Sequence, residues 1–83
     1  MENKQAICDA MCAAIRLTDS GGSGNALKEL RYIPDGNGIY SEVVRPIFAD
    51  GTGEDGWYDV NVGCDSGIAV IMDIVNQFVR KVW

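Results

Sequence analysis

Residues 26–48 read ALKELRYI-PDGNG-IYSEVVRPIF. On its own the first segment, Ala26–Ile33, is ambiguous. Leu27 and Leu30 have helical spacing, whereas Leu30 and Tyr32 alternate as in a strand. Its surroundings decide. Pro34 stops either structure, having no amide proton and a fixed φ. Pro34-Asp-Gly-Asn-Gly38 is a turn, because Gly and Asn accept positive φ. Ile39–Phe48 then alternates with β-branched and aromatic residues, the pattern of a strand. A turn before that strand makes Ala26–Ile33 the other arm of a hairpin.

Working outward, Ala49-Asp-Gly-Thr-Gly-Glu-Asp-Gly56 is a second, longer turn. Trp57–Val62 follows as a third strand, with Tyr58, Val60 and Val62 on one face and Trp57, Asp59 and Asn61 on the other. Two amphipathic helices bracket the strands. Residues 3–17 place Ile7, Met11, Ala14 and Ile15 on one stripe, with Gln5, Asp9 and Arg16 opposite. Residues 67–82 place Ile68, Ile71, Met72, Val75, Phe78, Val79 and Val82 on one stripe, with Asp73, Asn76, Gln77 and Arg80 opposite. Arg80 and Lys81 in the last turn suit the negative end of the helix dipole. The expected fold is α+β, ordered α-β-β-β-α: a three-stranded antiparallel meander with the N- and C-terminal helices on one face. Pro46 lies within the strand that a meander makes central. It predicts a bulge, or a ladder that ends near Arg45 on that side.

The 83 residues make one domain, 1–83, and 47% are apolar, enough for one core. No run approaches the roughly 18 apolar residues of a membrane span. The start, Met1-Glu2-Asn3-Lys4-Gln5, lacks the basic and apolar regions of a signal peptide, so a cytoplasmic location is expected. Three cysteines, Cys8, Cys12 and Cys64, are an odd count, which favours reduced thiols. With no histidine and no C-x-x-C pair, they read as small core side chains and not as a metal site. The net charge is −5. Residues 32–73 hold eight carboxylates and one base, about −7, and the two ends together hold about +2. Such a middle repels nucleic acid and anionic membrane and attracts a basic protein surface.

Candidate chemistry is sparse. Val60-Asn-Val-Gly-Cys-Asp-Ser-Gly-Ile-Ala-Val70 reads strand, turn, helix, and sets Ser66 where a nucleophile elbow would put it. Nucleophilic serine needs a base within hydrogen-bond reach, and the chain has no histidine. The spacing is G-x-x-S-G, not G-x-S-x-G. Asp65 or Ser66 is therefore a helix cap. Asp35-Gly-Asn-Gly-Ile-Tyr-Ser41 has part of an EF-hand loop, but Ile33 and Val44 would occupy its first and twelfth ligand positions, and strands flank it. Gly21, Gly22 and Gly24 follow a helix instead of opening one, so they do not form a phosphate loop. No catalytic residue, metal or cofactor is expected. The acidic run 50–59 reads either as a solvated, edge-protecting hairpin tip or as a recognition surface: Asp50, Glu54, Asp55 and Asp59 around Trp57, extended by Glu42 and Asp35. Carboxylates at i and i+2 on a strand would lie about 7 Å apart, close to phosphate spacing along a nucleic-acid strand.

The acidic middle, small single domain, absence of catalytic residues and α-β-β-β-α order together resemble some phage-encoded anti-CRISPR proteins. That resemblance implies a small acidic inhibitor of an RNA-guided nuclease, acting in a bacterial host cell by mimicking DNA on a basic site. It covers the layout of the whole chain and matches no diagnostic motif, so no family residue is carried over. The segment Val60–Val70 also resembles the strand-to-helix segment of short proteins of gut bacteria and their mobile elements, which implies an origin and no activity. The expectation is a non-enzymatic protein that blocks a basic nucleic-acid-binding surface. The alternative is a homo-oligomeric accessory domain, such as a homodimer, with Trp57, Phe48 or Trp83 at the subunit contact.

Overall fold

The computed structural model describes residues 3–18, 26–63 and 66–82. The order is α1 (Lys4–Leu17), β1 (Leu27–Ile33), β2 (Val43–Phe48), β3 (Val60–Asn61) and α2 (Gly67–Ile74). A π-helical turn (Val75–Val79) carries α2 on into a last turn, α3 (Arg80–Val82). The strands form one antiparallel sheet in the order β1-β2-β3. The core cluster draws Cys8 and Cys12 from α1, and Val70, Ile74 and Phe78 from the C-terminal helix. These meet Leu27, Leu30, Val44, Phe48, Val60 and Val62 of the sheet. Both helices thus cover one face, as the element order predicts. No described helix is long and apolar enough to cross a membrane.

The ambiguity of 26–33 has a structural cause. The register runs Leu27↔Phe48 and then Glu29↔Ile47, with an irregularity between Leu27 and Glu29. Lys28 is the extra residue. In a regular strand, residues three apart face opposite sides. The bulge returns both Leu27 and Leu30 to the core, so a helix-like spacing appears within a strand. The bulge therefore sits in β1 and not beside Pro46.

Pro46 stays within β2, opposite Leu30. The Leu30 carbonyl faces outward, accepting a hydrogen bond from Gln5 Nε2 at 3.1 Å. Leu30 and Pro46 are therefore a pair with no bonds between them, and Pro46 turns its missing donor toward β3. On that side the ladder covers only Val43↔Asn61 and Val44↔Val60, followed by Val62 N–H to the Glu42 carbonyl at 3.1 Å. The ladder ends where the proline begins, as Pro46 predicts. Two expected strands are shorter than read. Residues 39–42 belong to the first turn, and 57–59 to the second.

Each sheet edge is closed by a glutamine. Gln5 of α1 accepts from Tyr32 N–H at 2.9 Å and donates to the Leu30 carbonyl, on β1. Gln77 accepts from Asn61 N–H at 2.9 Å and donates to the Asn61 carbonyl at 3.0 Å, on β3. Edge strands otherwise offer unpaired backbone groups to other chains. A primary amide matches a peptide's donor and acceptor, so each side chain stands in for one residue of a missing strand.

The helix stripes need correction. On α1 the buried residues are Cys8 and Cys12, flanked by half-buried Ile7, Met11 and Ile15, while Ala14 is exposed. On the C-terminal helix the buried line is Val70, Ile74 and Phe78. Ile68 is 70% exposed, Met72 52%, and Val82 is also exposed. Residues four apart drift about 40° per step in an α-helix. The π turn, in which Arg80 N–H reaches the Val75 carbonyl, is wider and reduces that drift toward Phe78. Asn3 caps α1, accepting from Ala6 N–H at 3.0 Å.

The second turn lies beside β2 where β3 would have continued. Gly53 (φ +98°) approaches so closely that a Cβ there would stand 2.1 Å from the Pro46 carbonyl oxygen. Gly51 has a similar φ, +90°, but open space around it. Gly51→Ala should cost about 1 kcal/mol, for backbone conformation alone. Gly53→Ala should cost about 3 kcal/mol, since the loop must also move. Urea unfolding of the two variants checks this, and equal costs would contradict the close packing.

Candidate interaction surface

The helix-free face carries two arginines. Arg31 on β1 stands directly opposite Arg45 on β2. Like charges so placed repel, and both need counter-ions. Arg45 receives Asp59 in a two-point pair, Nε to Oδ1 at 2.9 Å and Nη2 to Oδ2 at 3.0 Å. The Asp59 side chain is only 3% exposed and also accepts from Asn37 Nδ2 at 2.9 Å. Arg31 is held by Glu29, Nη2 to Oε1 at 3.1 Å, and reaches Glu54 Oε1 at 3.3 Å. These partners raise both guanidinium pKa values, Glu29 being the main cause at Arg31 and Asp59 at Arg45.

The seven expected site residues therefore divide. Asp59 is withdrawn: it is a buried counter-ion and offers no charge to a partner. Glu42 is committed as well. It precedes β2, and accepts from Lys4 Nζ at 2.9 Å and from the Tyr32 hydroxyl. Glu54 is exposed and shares its charge with Arg31. Asp50, Asp55 and Asp35 are exposed on turns. Asp50 accepts from Thr52 N–H at 2.9 Å, and hydrogen bonds from Thr52, the side-chain one first and the backbone one second, hold its carboxyl below its usual range. Asp55 accepts from Trp57 N–H at 3.0 Å. Trp57 is 80% exposed. The expected strand-borne ladder of carboxylates does not form, because β3 begins only at Val60 and the acids sit on successive turns.

Those turns are internally bonded. Phe48 N–H reaches the Thr52 carbonyl at 2.8 Å, Glu54 N–H reaches Gly51 at 3.2 Å, Gly56 N–H reaches Gly53 at 2.9 Å, and Asp59 N–H reaches Gly56 at 3.1 Å. Asn37 organises the first turn, where its Oδ1 accepts from Ile39 and Tyr40 N–H, both at 2.9 Å. Through Asp59, this one asparagine ties the two turns together. The sequence reading missed Asn37, Gln5 and Gln77. The only local signal was Asn37 in a turn, since its role with Asp59 spans 22 residues.

Ser66 is the N-cap of α2, with Oγ accepting from Ala69 N–H at 3.0 Å. Asp65, Cys64, the glycines at 21, 22 and 24, and Trp83 lie outside the described residues. Cys8 and Cys12 are buried in the core. Burial pushes the Cys8 thiol up to about 11 and raises Cys12 too, so both stay protonated and non-nucleophilic near neutrality. Phe48, one of the expected subunit contacts, is also buried and meets Tyr58 edge-on and Phe78 at a tilt.

Two clefts flank the C-terminal helix. One, of about 580 Å³, is lined by Tyr40, Ser41, Asn61, Gly63, Asp73 and Gln77, with Ile39 at its rim. The other, of about 320 Å³, shares Tyr40 and Gln77 and runs on to Trp57, Asp59 and Lys81. Asp73 and Gln77 are half-buried here and do not lie on a solvated face. Comparison with protein-family models, curated proteins and solved structures finds no match.

The Lys4–Glu42–Tyr32 cluster yields a pH prediction. The hydrogen bonds from Tyr32 and Lys4 lower the Glu42 carboxyl from its ordinary 4.5, while the bond to Glu42 raises the Tyr32 hydroxyl from 10.0. A depressed carboxyl stabilises above its unfolded pKa and loses this as pH falls through the folded one. A raised hydroxyl stabilises below its unfolded pKa and loses this as pH rises through the folded one. The cluster's contribution is complete between those limits. The gap in urea midpoint between the wild type and Glu42→Gln should be largest near pH 7 and should narrow steadily as pH falls below 4.5. A gap independent of pH would contradict the assignment.

Proposed function

We propose that this chain is a non-enzymatic interaction protein that binds a basic, nucleic-acid-binding surface of a protein partner, with the turn 50–57 as its contact surface. The observation that carries this reading is Trp57: an indole 80% exposed, its backbone held by Asp55, with Glu54 next to Asp55 in the chain and Asp50 at the start of the same run of turns. Leaving an aromatic side chain of this size in water forgoes about 2 kcal/mol of burial. Tryptophan is enriched among residues that anchor interfaces. The carboxylates around it select a cationic partner and exclude nucleic acid itself. Glu54 remains usable, because an exposed ion pair holds its members weakly.

The resemblance to anti-CRISPR proteins makes an RNA-guided nuclease the first partner to test. Mimicry of DNA would be of charge and not of phosphate spacing, since the acids stand on turns. The committed chemistry supports a non-enzymatic role: Ser66 caps a helix and the two described thiols are protonated. A second reading, homo-oligomerisation, is favoured by Ile68 and Met72, exposed one turn apart on α2. Light scattering on the wild type and Met72→Glu separates the two.

Binding to an RNA-guided nuclease should weaken steeply between 50 and 300 mM salt, with ~tenfold or greater loss. Glu54→Lys with Asp55→Lys should abolish binding with the fold intact by circular dichroism, and Trp57→Ala should cost about 2 kcal/mol of affinity. Titration calorimetry reads all three. Wild-type affinity in the charge-reversed variant would refute the acidic-turn mechanism.

A further inference from the structure

We infer that the larger cleft, between residues 39–41 and the C-terminal helix, is a receptor for a single cationic side chain, a guanidinium or ammonium presented by the protein partner, with Asp73 as its counter-ion. Asp73 lines this cleft, and its Oδ2 is shut off from solvent with no hydrogen-bond partner. A buried carboxylate oxygen without a donor is costly, and such groups in native proteins call for an explanation. No described neighbour donates to it. Gln77 spends both ends of its amide on the Asn61 backbone, and Asn61 Oδ1 accepts from Gly63 N–H at 3.2 Å. Among the described residues no basic side chain lines this cleft, and Lys81 lines the smaller one beside it. A donor from outside reaches this oxygen once the Asp73 side chain turns its carboxylate into the cleft that it lines.

The other walls suit a cation of this kind. Tyr40 is partly exposed and borders both clefts, and an aromatic ring attracts a planar guanidinium. Ser41 adds a hydroxyl that can accept a hydrogen bond. The cleft holds about 580 Å³, ample for the end of an arginine or lysine side chain. Trp57 borders the adjoining cleft, so a partner seated on the acidic turn would have the Asp73 cleft within reach. The inference rests on the reading above that the partner is a basic protein, and it adds the place where one of its cations is buried.

The test uses the full chain and small probes, and so needs no partner. N-acetyl-arginine amide and N-acetyl-lysine amide are titrated against the ¹⁵N-labelled protein, with N-acetyl-citrulline amide as the neutral control and agmatine as a free small cation. Expected are saturable shifts at Ser41, Asn61, Gly63 and Asp73 with at least one capped cation, none with citrulline, and loss of the shifts in Asp73→Asn. Asp73→Asn should melt at the same temperature as the wild type or higher, because it removes a charge that the fold leaves unpartnered. No saturable shift, shifts that survive Asp73→Asn, or a lowered melting temperature in that variant would each overturn the proposal. Agmatine binding at least tenfold tighter than the capped amino acids would overturn its side-chain form in favour of a small-molecule site. Charge reversal at Glu54 and Asp55 tests the reading above and leaves this cleft intact, so the two can fail separately.

Discussion

Arg31 and Arg45 stand directly opposite each other on neighbouring strands, on the face that no helix covers. Two cations in that position repel unless anions are brought to them, and much of the remaining architecture does this. The chain leaving β2 does not turn straight back as a full strand. It folds through successive turns along the edge of β2, places Asp59 under Arg45 and extends Glu54 toward Arg31. Only then does it pair, for two residues, as β3. The close approach of Gly53 to Pro46 and the link from Asn37 to Asp59 both follow from seating this turn against the sheet.

The sheet left by this arrangement is small and has two vulnerable edges. Gln5 and Gln77 close them from the two helices that also bury the opposite face. Packing and edge protection thus share the same elements. A helix residue that looks solvent-directed by its period can be fixed by a strand edge, and Gln77 is such a residue.

How much of this could be read from the sequence depended on the range of the interaction. Element order, strand pairing and the placement of both helices followed from Pro34-Asp-Gly-Asn-Gly38 and from apolar periodicity, which are local. The halt of the β2–β3 ladder at Pro46 was legible because a missing donor is a property of one residue. The bulge at Lys28 was misleading, since it lent a strand the spacing of a helix. The buried line of the C-terminal helix was not legible, because Ile68, Val70, Ile71, Met72 and Ile74 surround the axis and period alone cannot choose among them. Least visible were the partners of the acids. Asp59, Glu54 and Glu42 read as surface charge, and their cations stand 14, 23 and 38 residues away. A net charge cannot say which carboxylates are already spent.

That division is the centre of the functional account: Asp59 holds the fold, while in the proposed reading Asp55 and, in part, Glu54 meet a partner beside Trp57. The most direct measurement is a pair of double-mutant cycles on stability, Arg45→Ala with Asp59→Ala and Arg31→Ala with Glu54→Ala, in low salt and in 0.5 M salt. The account predicts a coupling of about 2 kcal/mol for Arg45–Asp59 that persists in high salt, as befits a largely desolvated two-point pair. It predicts a much smaller coupling for Arg31–Glu54 that salt removes. Equal couplings, or an Arg45–Asp59 coupling that vanishes in salt, would contradict it.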